Sequence, residues 1–416
     1  MKFVTYTLDN NARPRFGFKK DNYIVDVIRT AIWNNENNQD PSFLEIPSTL
    51  KKALENWDTH FSKLKELDLS LPAMNIQSHS GGGAPIALLE TDVQLLAPVP
   101  NPQSFRDFYA FEQHVRSARK LRGLEMHPDW FKIAIFYFSN PAALYGHGEG
   151  IPYPKGTEEL DFELEFAVII ANGGSDISSE DADQYIAGYT ICNDWSARDL
   201  QREEMAMSLG PAKGKDFASS FGPYMVTPDE LEDAWDEKGR IHLRMTCHVN
   251  GALISDGNTN DLYHPFTKMI ERASMNAKLL PGDYLGSGTV GTGCILELRP
   301  ENTSGVVEFQ DYFDLGGTGN SIDLSTASSS EILSAIEEAL ESRDSATGLT
   351  GSSTQVAAGA ANSDALLIFY EFQSSSSGAA IIRYQEGSSK DDDFNGELSI
   401  VGIFENVSDF EQANVI

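Results

Sequence analysis

The chain has 416 residues, 41% hydrophobic, 22% charged and 10% aromatic, which suits two or three domains with buried cores and excludes a disordered, collagenous or disulfide-dense chain. Its 62 acidic against 31 basic side chains give a formal net charge of −31. That charge repels phosphate backbones and anionic membrane surfaces, so it excludes a nucleic-acid role; it suits a halotolerant or secreted protein. Cys192, Cys247 and Cys294 have no close spacing, form no zinc or redox motif, and fit reduced thiols in a cytosolic protein. The residues after Met1 hold no apolar core of signal-peptide length, and no run approaches the roughly 20 apolar residues that cross a bilayer. A soluble protein is expected.

Residues 1–95 read as a small first domain, with strands at Phe3–Tyr6 and Tyr23–Val27, a helix over 48–68 and a Gly81–Pro85 linker. From Leu96 to about residue 315 the texture is one of short strands separated by Gly and Pro. Phe162–Ile170, Ile241–Asn250 and Gly293–Leu298 are its clearest strands, and helices are expected at 113–121, 180–186, 195–206 and 265–277. Residues 316–416 contain no Cys, Trp, His or Pro, are rich in Ser, and carry 16 acidic against 3 basic side chains. There Glu331–Leu340 has helical periodicity with Ser330 as N-cap, and Ala365–Tyr370, Ala379–Tyr384 and Leu398–Phe404 read as strands. Such a tail, with Ser/Gly-rich linkers at 342–363 and 373–378, is expected to be an appendage separable from the rest.

The chemistry lies before the tail. Glu163 and Glu165 interrupt an otherwise apolar strand, where residues i and i+2 share a face; two carboxylates so placed repel unless a proton or cation joins them. Asp194 ends a second apolar run and Asp107 precedes Phe108–Tyr109, so four hard oxygen donors suit Mg²⁺ or Ca²⁺ rather than a thiolate-seeking metal. A solvated strand face for the glutamates and helix N-caps for the aspartates are the structural alternatives. If a helix opens at Asn193, Asp194, Arg198 and Gln201 share one stripe, either as part of a site or as a surface ion pair. His114, seven residues after Asp107, would share its helical face, and His is the usual general base near neutral pH. Two glycine-rich stretches mislead. Gly286–Gly291 matches G-x-G-x-x-G, yet Thr292–Leu298 is expected to continue as a strand; Gly210–Asp216 is one residue short of a phosphate loop.

Six motifs in this order resemble the fumarylacetoacetate hydrolase family over about Ser104–Pro300. They are Asp107-Phe108-Tyr109 with His114, Glu163-Leu164-Glu165, Asn193 through Gln201, Gly214-Lys215-Asp216-Phe217, Ser287-Gly288-Thr289 and Leu296-Glu297-Leu298. The resemblance implies an α+β fold: a mixed β-sandwich or roll of the family's C-terminal domain type, a small N-terminal α/β domain, and here a small β-rich appendage. It implies Asp107, Glu163, Glu165 and Asp194 as ligands of Mg²⁺ (or Mn²⁺ or Ca²⁺), and His114 as general base oriented by Glu297. Arg198, Gln201 and Lys215 would surround substrate oxygens, with Tyr109, Arg122 and Thr289 at the substrate's carboxylate end. The implied activity is metal-dependent hydrolysis of a C–C bond in a 1,3-dicarbonyl or acylpyruvate, as in aromatic catabolism, by a cytoplasmic homodimer. Decarboxylation of oxaloacetate-like acids or isomerisation of an unsaturated dicarboxylate, an oxaloacetate-type decarboxylase or isomerase, is the alternative on the same site, and an inactive surface or interaction protein is a third. After Glu297 the chain departs from the family's pattern, lacking the second Pro-Gly-Asp turn that precedes its closing strands.

Overall fold

A computed structural model describes residues 1–8, 13–72, 75–237 and 240–298, and the strands at 364–373, 376–385 and 398–405. The chain divides into two compact units, Met1–Met245 with Gly257–Cys294, and Thr246–Asp256 with Ile295–Ile416.

The first unit is organised by one large mixed sheet. In chain order its principal strands are β1 (Lys2–Thr7), β2 (Arg15–Lys20), β3 (Tyr23–Asp26), β4 (Ala87–Leu89), β5 (Phe105–Phe108), β6 (Phe136–Ser139), β7 (Leu164–Ile170), β8 (Ile186–Asp194), β9 (Ser219–Val226) and β10 (Tyr284–Gly286). They lie side by side as β4-β3-β2-β1-β9-β8-β7-β10-β5-β6, so residues 1–95 contribute to the same sheet as the later chain. Neighbours are antiparallel except β10 and β5, which run parallel.

Both faces of the sheet are covered, which is why β7 reads as a nearly unbroken apolar run. Ala167 and Ile169 point to one side, packed with Phe105, Cys192, Phe221, Tyr284 and apolar residues of the first 95 positions. Phe166, Val168 and Ile170 point to the other, packed with Tyr189, Leu285 and the helix at Phe266–Ser274. That helix buries Phe266, Met269, Ile270 and Ala273, the i, i+3, i+4, i+7 stripe of an amphipathic helix.

Four further helices are α1 (Val27–Asn38), α2 (Trp57–Leu69), α3 (Glu112–Leu121) and α4 (Arg198–Ala206). Asp26 caps α1 by accepting from the Arg29 amide at 2.8 Å, and its other oxygen takes the Tyr6 hydroxyl and Arg15 Nε, each at 2.6 Å. The helix expected over 48–68 is broken: a turn at Leu50–Ala53 and a 3₁₀ stretch at Leu54–Asn56 precede α2.

Several expectations are corrected. The Gly81–Pro85 linker is a tight hairpin, Ser80–Gly81 against Ala84–Pro85, packed so closely on α1 that a Cβ at Gly81 would lie 1.9 Å from the Arg29 carbonyl oxygen. Residues 182–185 form a 3₁₀ turn rather than a helix over 180–186. Gly293–Leu298 is not a strand: Thr292 has φ +66°, and Ile295–Leu298 is a 3₁₀ turn. The glycine loop after β10 therefore leads into that short turn instead of opening an α-helix, and the dinucleotide reading fails on this ground instead.

In the second unit, Asp364–Gln373, Ser376–Gln385 and Leu398–Glu405 form an antiparallel three-stranded sheet. These match the three strands expected in the tail; the expected helix at Glu331–Leu340 lies outside the described residues.

Candidate metal centre and active site

Alternation along the strands carries the first core's face directly into an acidic cluster. Phe105 is followed two residues on by Asp107, Cys192 by Asp194, and Ala167 is preceded by Glu165 and Glu163. Each strand thus turns from hydrocarbon to carboxylate on one side of one sheet. One oxygen from each of Asp107, Glu163, Glu165 and Asp194 lies within 4.8 Å of the other three, and all four residues are buried. Between β7 and β5 lies β10, whose Gly286 is in register with both Ala167 and Asp107. A Cβ there would sit 2.5 Å from Asp107 Oδ1 and 3.2 Å from Glu165 Oε2, so the absence of a side chain leaves room for the acids to converge.

The acids have unequal partners. Lys215, 3% exposed, pairs with Glu163 Oε2 and lies 2.7 Å from Asp194 Oδ2. Arg198 NH1 reaches Glu163 Oε1 at 2.8 Å. Asp194 also accepts from the Tyr137 hydroxyl at 2.5 Å and from Ser219 Oγ at 3.0 Å. Glu165 accepts from the Gly288 amide at 3.2 Å and from Thr289 Oγ1 at 3.5 Å. No hydrogen-bond donor among the described residues reaches Asp107 Oδ1.

The electrostatics follow these contacts. Burial opposes ionisation of Glu163, but Lys215 and Arg198 outweigh it and hold its carboxyl below the ordinary range. Burial pushes Asp107 well above that range, and Asp194 adds to it. Glu165 is raised by burial and then by Asp107. Asp194 is raised by burial against the pull of Lys215. Lys215, although burial disfavours its charge, is held firmly protonated by Asp194 and Glu163. Among the described residues, four buried carboxylates with two adjacent fixed cations, one oxygen without a donor, and an all-oxygen donor set fit a hard divalent cation.

The other candidates fall at varying distances from this centre. His114, 4% exposed, lies on α3 with its ring edge-on to Tyr109 at 5.5 Å. Gln201 is tied to the centre by Arg198 NH1, 3.1 Å from its Oε1. Arg122 is exposed at the end of α3, its Nε donating to the Ala118 carbonyl and its NH1 reaching Met205 Sδ at 3.8 Å, and it contacts none of the acids. Glu297 belongs to the second unit, and its side chain is outside the described residues.

The local structure corrects two expectations. Asp107 is a strand residue and α3 starts at Glu112, so Asp107 and His114 do not share one helical face. Asp194 ends β8 and α4 opens only at Arg198, so Asp194 is off the Arg198–Gln201 stripe; nor is either aspartate a helix N-cap. Sequence reasoning missed Tyr137, Ser219 and Asp161. Asp161 accepts Arg198 Nε at 2.7 Å, and its place two residues before Glu163 on an alternating segment is a signal that could have found it.

The chain belongs to the fumarylacetoacetate hydrolase family: the model of the fumarylacetoacetate (FAA) hydrolase C-terminal domain matches residues 103–322, more than half of the chain. It is 29% identical over 243 residues to the fumarylacetoacetase of Arabidopsis thaliana, an alignment covering 47% of this chain and 58% of the relative. It is 27% identical over 292 residues to the mitochondrial oxaloacetate tautomerase fahd2 of Xenopus laevis, covering 70% of this chain and 79% of that one. The chain thus spans little more than half the length of the plant fumarylacetoacetases, 58% and 59% for the two it matches. A Mycobacterium smegmatis crystal structure provisionally assigned as an HpcE protein shares the fold, with a TM-score of 0.52, 21% identity, and coverage of 71% of this chain and 89% of that one. The large mixed sheet with its covering helices is the α+β architecture expected of the family. Among the described residues, no helix is long and apolar enough to cross a membrane.

Proposed function

We propose that the chain is a divalent-metal-dependent hydrolase cleaving a carbon–carbon bond in a 1,3-dicarbonyl or acylpyruvate substrate. The observation that carries this reading is the buried group of Asp107, Glu163, Glu165 and Asp194 with Lys215 and Arg198 against it, in a member of this family. Those four acids would hold Mg²⁺, Mn²⁺ or Ca²⁺, which when bound supplies Lewis acidity toward chelating substrate oxygens. His114 takes a proton from water, and the resulting hydroxide adds to the carbonyl carbon. Lys215, Arg198 and Gln201 stabilise the oxyanion, each such donor being worth about 3 kcal/mol. The bond to the leaving carbon then breaks, its electron pair leaving as an enolate that takes up a proton. Tyr109, Thr289 and Arg122 are assigned to the substrate's carboxylate end, Arg122 moving from its place on Met205, and Glu297 to orienting His114.

A second reading, oxaloacetate tautomerisation or decarboxylation, uses the same site without attack by water; the frog tautomerase, covered over 79% of its length, favours it. We further propose a cytoplasmic homodimer in which residues 96–315 form the catalytic domain, 1–95 a small N-terminal domain and 316–416 an appendage. A panel of acylpyruvates, fumarylacetoacetate and oxaloacetate, each with Mg²⁺, Mn²⁺ or EDTA, tests the assignment. Metal-dependent release of a carboxylic acid and a ketone supports hydrolysis. Loss of oxaloacetate enol absorbance without cleavage, or release of CO2 and pyruvate from oxaloacetate, supports the second reading, and no turnover of any member refutes both.

A further inference from the structure

The segment just before the two glutamates is strapped to helix α4 by every second residue. Thr157 Oγ1 donates to Asp199 Oδ1 at 2.5 Å, and Asp199 Oδ2 accepts the Glu158 amide at 2.8 Å. Glu159 takes Arg202 in a two-pronged pair at 2.6 and 2.7 Å, and its carbonyl accepts the Arg198 amide at 2.9 Å. Asp161 pairs in register with Ser196, where Leu160–Asp161 runs antiparallel to Ser196–Ala197. Its Oδ2 lies 2.7 Å from both Nε and NH2 of Arg198.

The outer two ties are partly exposed and rank as surface pairs, worth little. The inner one differs. The Asp161 and Arg198 side chains are 4% and 6% exposed, and the guanidinium is divided: its Nε–NH2 edge faces Asp161 while NH1 faces Glu163. A guanidinium is rigid and always charged, so its orientation decides which carboxylate it neutralises. We propose that Asp161 is a positioning residue: by holding one edge of Arg198 it limits how far that cation neutralises Glu163, and so keeps Glu163 available to a divalent ion. The proposal rests on the reading of the four acids as a metal site.

Without the Asp161 charge, Arg198 keeps Glu163 as its buried anionic partner among the described residues and competes more strongly with the metal. The test is a double-mutant cycle read by calorimetric Mn²⁺ titration of the full chain, with Asp161→Asn, Arg198→Gln and the pair. Asp161→Asn is expected to weaken Mn²⁺ binding about fivefold to tenfold in the wild-type background, and less than about twofold when Arg198 is already Gln. Asp161→Glu, which keeps the charge, should restore most of the affinity. If Asp161→Asn does not fold, Asp161→Ser, which leaves room for water beside the guanidinium, replaces it in the cycle. Equal losses in both backgrounds would assign Asp161 a merely structural part and overturn the proposal, as would unchanged or tighter binding in the single variant. A wild-type chain that binds Mn²⁺ but turns over no substrate would sink the hydrolase reading while leaving the cycle decisive; one that binds no Mn²⁺ overturns both.

Discussion

Replacing Lys215 by Met removes an ammonium that serves two of the acids while keeping the side chain's apolar bulk. The lysine is 3% exposed, and both of its partners, Glu163 and Asp194, are buried. Water therefore cannot take its place, and a buried pair broken on one side costs about 3–5 kcal/mol. For a folded unit of this size each kcal/mol is worth about 2 °C, so in EDTA the melting temperature should fall by roughly 6–10 °C. The same substitution should have the opposite effect on metal binding, because ammonium and divalent ion compete for Glu163 and Asp194. Titrating Mn²⁺ into the variant should raise its melting temperature by more than it raises that of the wild type, as ligand linkage requires of the tighter binder. Scanning calorimetry of both proteins, in EDTA and over a Mn²⁺ series, reads both effects. An unchanged melting temperature in EDTA, or a smaller Mn²⁺ response in the variant, would refute the assignment of Lys215 as the internal counter-ion of a metal site.

His114→Ala should lower turnover of the best substrate by roughly 10² to 10⁴, the usual worth of a general base, with the Mn²⁺ response intact; an unchanged rate across neutral pH removes it from the mechanism. Gly286→Ala would place a methyl group 2.5 Å from Asp107 Oδ1, and calorimetric titration should show Mn²⁺ affinity reduced about tenfold or more. The raised positions of Asp107 and Glu165 give a sign to the pH dependence. A carboxyl raised in the fold contributes stability that is complete below its unfolded value and is lost as pH climbs through the elevated one. In EDTA the melting temperature should therefore decline as pH rises from about 5 to about 8, a slope that saturating Mn²⁺ flattens; a rise in EDTA would contradict the burial argument. A chain ending at Leu315 should stay soluble and keep its Mn²⁺-dependent turnover, whereas inactivity beside an active full-length chain would show that the tail completes the core.

The acids were legible because a carboxylate inside an apolar run is conspicuous: Glu163, Glu165 and Asp194 needed only strand alternation to be placed on one face. Asp107 was legible as a candidate but not as a strand residue, since β5 is four residues long and its neighbours resemble a helix start. The opening of α4 at Arg198, four residues later than Asp194, is a tertiary effect. Ser196–Ala197 is held extended by its pairing with Leu160–Asp161, and no local propensity in Trp195–Ala197 announces that. Gly293–Leu298 was misread for a related reason, because a short apolar run at a chain turn carries no periodicity to separate a strand from a 3₁₀ turn. Tyr137, Ser219 and Asp161 escaped notice because their partners are 57, 25 and 37 residues distant. Each is an ordinary residue until the sheet order is known.

The hydrogen bond from Tyr137 to Asp194 also says something about curvature. Tyr137 belongs to β6 and Asp194 to β8, and β5, β10 and β7 lie between them. Four inter-strand spacings in a flat sheet would make roughly 19 Å. A tyrosine, an aspartate and one hydrogen bond laid end to end span only about 12 Å. The five strands must therefore curl around the acids, with the Tyr137 side chain spanning the curl from β6 to β8. Tyr137 thus ties β6 to β8 across three intervening strands, a link that backbone pairing alone does not supply.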